Sequence, residues 1–136
     1  MTFALDPRLE EDYEFIYKLQ LSEVRLSNNA SFPWIILVPI RENIIELIDL
    51  SDVDQIQLLK EIRQASHVMR QLFHPQKLNI ATLGNIVPQL HIHIVARFYA
   101  DGAWPQPVWS SGVYSDYSPT EKRRIIDIIE NEFDKR

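Results

Sequence analysis

The chain has 136 residues, 46% of them hydrophobic, with a formal charge of −5 and a pI near 5.3, which makes one ordinary domain with apolar material for a single core. That acidic balance, with Lys and Arg scattered, excludes the sequence-independent grip on a nucleic-acid polymer that needs a basic surface. The absence of cysteine excludes disulfides, thiolate nucleophiles and Cys-ligated zinc.

A small phosphorylated ligand stays open, because it needs only a local field. The amino terminus, MTFALDPRLEEDYEF, is acidic where a signal peptide is basic and then apolar. The longest aliphatic run, Ile35–Val38, is far too short to span a bilayer. The sequence therefore reads as a soluble cytoplasmic protein without a membrane partner. No repeat or linker divides it, so residues 1–136 read as a single domain.

In chain order, Asp6 and Pro7 offer an N-cap and first helical position, and Leu9, Tyr13 and Ile16 recur at helical spacing, which predicts a short helix over residues 6–20. SEVRLS at 22–27 alternates as a strand, and WIILVP at 34–39 reads as a buried strand ended by Pro39. IIELIDL at 44–50 predicts a third short strand. Ser51 then caps a long helix lined by Ile56, Leu58, Leu59, Ile62, Ala65, Met69 and Leu72 and stopped by His74-Pro75. LNIATLG and PQLHIHIVARF predict two strands paired as a hairpin around Gly84-Asn85. The irregular stretch DGAWPQPVWSSGVYSDYS leads to a final helix that opens on the capping box Ser118-Pro119-Thr120-Glu121 and carries Ile125, Ile126, Ile129 and Phe133. Strand connections this short cannot make parallel crossovers, so the class is antiparallel α+β.

The stretch VPQLHIHIVARF, residues 87–98, carries the chemistry. Alternation puts Leu90, Ile92, Ile94 and Ala96 on the core face, and Gln89, His91, His93 and Val95 on the other. The two imidazoles stand roughly 7 Å apart along the strand, close enough to act on one group. Three readings fit this face. The histidines can fill polar positions of a half-exposed strand. They can give two ligands to a metal, although no third ligand stands near. Or a neutral imidazole can attack phosphorus while a protonated neighbour stabilises negative charge, which needs neither metal nor cofactor.

The run Gln89-Leu90-His91-Ile92-His93-Ile94-Val95 resembles the signature of the histidine triad (HIT) superfamily, with glutamine at the first histidine position. GNIVPQLHIHIVARF and SFPWIILVPIRENIIELIDLS extend the likeness over residues 22–110, and DGAWPQPVW is similar to bacterial members known as dinucleoside polyphosphate hydrolases. The resemblance implies a HIT-like antiparallel five-stranded sheet with a long helix and flanking N- and C-terminal helices, and a homodimer. It implies a small nucleotide substrate cleaved at the α-phosphate, of dinucleoside polyphosphate or nucleoside phosphoramidate type, with no cofactor and no bound metal. A catalytically weak nucleotide-binding dimer is the alternative.

Residue by residue, the resemblance makes His91 the nucleophile that forms a nucleotidyl-histidine, its Nδ1 proton held by a backbone carbonyl near Gln89. It makes His93 a ligand of the phosphate oxygens. Gln89 stands where the family has a histidine and can orient a group without carrying a proton. Asn85 matches a polar residue near the leaving group, or is simply a hairpin residue. Asn28 is placed like residues that touch the ribose, or serves the Asn28-Asn29 turn. Arg97, on the parity of the histidines, lends positive charge to the pocket or is solvated. Glu42, where the family often has histidine, reads as a turn residue facing solvent. Trp104 and Trp109 cover the cleft or pack on a partner.

Overall fold

The structure, a computed structural model, describes residues 2–136. Its elements are α1 (Pro7–Asp12), β1 (Tyr13–Lys18), β2 (Ser22–Ser27), β3 (Trp34–Pro39), α2 (Asp52–Phe73), β4 (Lys77–Thr82), β5 (Ile92–Arg97) and α3 (Pro119–Asp134). The strands form one sheet in the order β1-β2-β3-β5-β4, with every neighbouring pair antiparallel. The five-stranded α+β architecture expected from the sequence is therefore present, although one of its five strands is a different segment.

The segment expected as a helix over residues 6–20 splits at Asp12. Asp6 does cap a helix, its carboxylate accepting the Arg8 N–H at 2.9 Å, but α1 ends after six residues. Tyr13-Glu14-Phe15-Ile16-Tyr17 then runs extended and pairs with β2. This aromatic and β-branched run fits a pleated surface better than a helix, and a sheet partner decides between the two periods. In the other direction, the strand expected at 44–50 does not form. Both edges of β3 are already occupied, by β2 and β5, so residues 44–50 run alongside as irregular chain, with Leu90 N–H donating to the Ile44 carbonyl at 3.0 Å and a single 3-10 turn at Leu47–Asp49.

The helices bury one face of the sheet. α2 starts on Ser51, whose hydroxyl accepts the Asp54 N–H, and ends on His74 in the left-handed region at φ 51°. Leu58, Ala65, Val68 and Met69 are its buried face, while Ile56 and Leu59 of the expected stripe point outward and are mostly exposed. α3 starts on Ser118 through the same kind of cap, but Glu121 turns to Arg124 instead of closing the box. Its Ile125, Ile126, Ile129 and Phe133 join Val24, Leu26, Ile35, Leu37, Ile92, Ile94 and Ala96 in the main core. Each such side chain contributes about 1.5–3 kcal/mol by leaving water. No helix among the described residues is long and apolar enough to cross a membrane.

The opposite face is covered by irregular chain. Phe32, Trp34, Val95 and Val108 form one cluster there, and Leu9, Ile36 and Val38 form another with Phe3, Leu5, Tyr13 and Val87 against it. Arg97 fastens the first cluster. Its guanidinium is 1% exposed and bonds the Asp101 carboxylate (2.8 and 3.2 Å), the Asn79 side-chain oxygen (2.8 Å) and the Gln106 carbonyl (2.8 Å), with Phe32 and Trp104 rings against it. Asp101 in turn accepts the backbone N–H groups of Phe98, Ala103 and Trp104. The Arg97 hydrogen bonds, with help from backbone donors, hold the Asp101 carboxyl far below the usual carboxylate range.

Removing one partner of such a pair leaves a buried charge uncompensated, so Asp101→Asn should lower stability at pH 7 by about 3 kcal/mol. Because the Asp101 pKa is depressed in the folded state, its contribution is complete above the unfolded carboxylate pKa and is lost as pH falls through the folded value. Urea denaturation at pH 7 and pH 3 checks both points: the gap between wild type and Asp101→Asn should be smaller at pH 3.

Candidate active site

The end of the loop over residues 83–91 and the start of β5 bring His91 and His93 side by side, with ring centroids 4.8 Å apart and planes at 70°. Both are buried, at 6% and 3% exposure. The face that carries them is thus a lined cleft and not a solvated surface. The cleft measures about 310 Å³ and is bounded by Leu9, Asp12 and Tyr13 on one side, residues 83–87 on the other, and Trp109 above the histidines. That volume lies at the lower end of the range for small-molecule sites.

Each imidazole has one nitrogen committed to the protein. His91 Nδ1 lies 2.8 Å from the Gln89 carbonyl oxygen; a carbonyl can only accept, so the proton sits on Nδ1 and Nε2 keeps its lone pair. His93 is the reverse. The Trp34 indole N–H donates to His93 Nδ1 at 3.0 Å, and an indole can only donate. Nδ1 is therefore bare, and the neutral ring carries its proton on Nε2 as a donor.

Burial pushes both rings toward the neutral form. His91 lies below the ordinary histidine value because of desolvation, partly offset by the Gln89 carbonyl and the Asp6 charge. Desolvation, with the neighbouring His91, takes His93 down to about 3. The expectation of a protonated neighbour thus gives way to a neutral one, since an imidazolium at His93 would have to break the indole bond. Tyr13, pushed up to about 12 by burial and then by Asp12, stays a phenol. Its ring lies 6.4 Å from His93, and Trp109 lies 5.2 Å from the same ring.

Of the residues expected at the site, His91, His93 and Asn85 line the cleft. Asn85 is exposed and follows Gly84, whose φ of +70° makes the turn. Arg97 does not reach the cleft, because its guanidinium is occupied by Asp101, Asn79 and Gln106. Asn28 holds the chain instead: its amide donates to the Glu11 carbonyl at 2.8 Å and its backbone N–H to Asp12. The Gln89 carboxamide turns to the amino-terminal segment, donating to the Ala4 carbonyl at 2.9 Å and accepting the Asp6 N–H at 2.8 Å. Glu42 borders a separate hollow with Phe3, Ala4, Asn43 and Gln89 and has a buried, unpaired Oε1. Trp104 packs on Arg97 and Tyr99. No group of three or more His, Asp or Glu side chains among the described residues is placed to hold a metal ion.

Four contributors are missing from the sequence reading. Leu9, Asp12 and Tyr13 were hidden in the helix expected over residues 6–20, although the aromatic run after Asp12 carried a strand signal. Trp34 was read only as the start of a buried strand. Its contact with His93 follows from the β3–β5 register, in which Ile36 opposes His93 and Trp34 opposes Val95, and no local pattern reports that register.

The indole bond favours neutral His93, so Trp34→Phe should raise the His93 pKa and shift its tautomer equilibrium. Nitrogen-15 NMR of the imidazoles checks this. Wild type should show protonated Nε2 at His93 and no titration of that ring down to about pH 4, while Trp34→Phe should titrate at higher pH.

A family model described as "HIT domain" matches residues 8–100. A histidine triad protein from Bradyrhizobium japonicum is 41% identical over 98% of this chain and 99% of its own, with a TM-score of 0.95. A histidine triad (HIT) protein from Sinorhizobium meliloti is 40% identical over 96% and 97%, with a TM-score of 0.93. Diadenosine triphosphate hydrolase from Plasmodium falciparum shares the fold at 18% identity, over 100% of this chain and 84% of its own, with a TM-score of 0.63. No curated protein gives a match. With the HIT domain model matching most of the chain and a His-x-His pair at the head of the interior strand β5, in a fold this close to histidine triad proteins, the chain is a member of the HIT domain family.

Proposed function

We propose that the protein is a nucleotide hydrolase or nucleotidyl transferase that works through a covalent bond between His91 Nε2 and the α-phosphorus of a small nucleotide. The observation that carries this reading is the opposed tautomers: His91 presents a lone pair at Nε2, and His93 presents an N–H at Nε2. A nucleophile and a hydrogen-bond donor on adjacent rings are what attack at phosphorus requires. His91 forms the N–P bond as the bond from phosphorus to the leaving group breaks, and the leaving group keeps that electron pair. Water then attacks phosphorus, the N–P bond breaks with its electrons returning to Nε2, and the water proton passes to solvent.

The leaving group follows from the proton inventory. His93 is neutral, Gln89 carries no proton to give, and the Tyr13 phenol is a weak acid. A polyphosphate can depart as an anion, whereas an amine must take up a proton. The site therefore favours dinucleoside polyphosphates over nucleoside phosphoramidates. In this reading Asn85, which lines the cleft, touches the departing phosphates. A nucleotide of this kind fits the cytoplasmic location read from the sequence.

The same proton inventory supports a second reading, a dimeric module that binds nucleotide with little turnover. Calorimetry with AMP alongside a turnover assay separates the two. For the enzyme, protein acid-quenched after exposure to labelled dinucleoside polyphosphate should retain label in wild type and lose it in His91→Ala. Wild type without transient label and without turnover would remove the enzymatic reading.

A second copy of the chain is the partner this reading includes. β4 closes one end of the sheet, with Ile80 at 47% and Leu83 at 43% exposure beside it, an edge suited to pairing with its own copy. Sedimentation at micromolar concentration should give a dimer, and Ile80→Lys should shift it toward monomer.

A further inference from the structure

The position at which this chain departs from the triad pattern has a visible occupation. Gln89 joins two stretches of chain that are far apart in sequence, the loop over 83–91 and the segment over 3–12. Its Nε2 donates to the Ala4 carbonyl at 2.9 Å, and its Oε1 accepts the Asp6 N–H at 2.8 Å. A carboxamide carries donor and acceptor on one tip, so it can close a two-point bond to backbone groups two residues apart on an extended chain. An imidazole carries its two nitrogens on different sides of a rigid ring and cannot close the same pair.

A second tie lies close by. The Arg8 guanidinium donates to the Ile86 carbonyl at 2.9 Å while holding the Asp6 carboxylate. Around the ties, Phe3, Leu5 and Leu9 pack with Ile36 and Val38. The segment then delivers Leu9, Asp12 and Tyr13 to the cleft as the wall facing residues 83–87. The cleft thus exists between the segment over 3–12 and the loop over 83–91, and Gln89 is bonded to one while belonging to the other.

We infer that Gln89 is a positioning residue, which clamps the segment over 3–12 against the loop over 83–91 and so builds the wall of the histidine cleft, in place of a role in proton transfer. For a nucleotide this means that the side chain governs affinity more than the chemical step, a consequence that rests on the function proposed above. Restoring the family's histidine would undo the clamp.

Hydrogen–deuterium exchange on the full chain tests the clamp without any ligand. Gln89→Ala and Gln89→His should each speed exchange over residues 3–12 by roughly tenfold or more, as expected for losing two hydrogen bonds, and Gln89→Glu, which keeps only the acceptor, should fall between. In binding, Gln89→Ala should weaken AMP about tenfold and raise KM with little change in kcat. Leu5→Ser, which loosens the same segment from its apolar side, should weaken AMP similarly, and the double variant Gln89→Ala/Leu5→Ser should be no weaker than the worse single one. Wild-type exchange in Gln89→Ala, or a fall in kcat at unchanged KM, overturns the inference. Should wild type bind no AMP while Gln89→Ala still speeds exchange, the clamp stands and the nucleotide reading falls.

Discussion

Burying two imidazoles next to an interior strand is the constraint on which the rest of the site depends. β5 lies between β3 and β4 and is covered on both faces, so the Nδ1 atom of neither ring can rely on water. Each Nδ1 is satisfied by the protein, one by a carbonyl and one by an indole, and those two partners are opposite in kind. The acceptor fixes a proton on one ring, the donor fixes its absence on the other, and both Nε2 atoms are left for whatever enters the cleft. A buried polar group without a partner costs about 1–3 kcal/mol, so these bonds are requirements of folding as much as of chemistry.

The same strand separates charge from the site. His91, His93, Val95 and Arg97 share one face, yet the guanidinium at the far end is neutralised by Asp101 and used to gather residues 98–106. That loop continues to Trp109, which returns to the histidines. The cation therefore serves the cleft by shaping its cover. Arg8, at the other rim, is likewise paired with an acid. The cleft-lining residues thus combine two neutral imidazoles with the Asp12 carboxylate and include no guanidinium.

Much of this was legible in the sequence. β2, β3, α2 and α3 carried their signals locally: alternation, a proline stop, serine caps and apolar spacing. His91 and His93 were visible as neighbours through alternation alone, and the wider pattern pointed to the family. What was hidden depends on long-range pairing. Tyr13–Lys18 fits either period until β2 is beside it, and residues 44–50 had every feature of a strand except a vacant side of β3 to pair with. Arg97 had the correct parity for a cleft residue, but Asp101, four positions later, turns its guanidinium away. Gln89 looked like a weakened catalytic group because its true partners, Ala4 and Asp6, lie at the opposite end of the chain.

The two faces of the sheet are served by different kinds of chain. One packs against α2 and α3 through a continuous apolar core, and the other is roofed by the segment over 3–12 and the loop beyond β5. Loops of that kind tolerate sequence change that a close-packed helical layer does not. Ligand preference in this architecture can therefore drift with its roof while the foundation and the imidazole pair stay fixed, so that relatives alike in backbone need not be alike in what they bind.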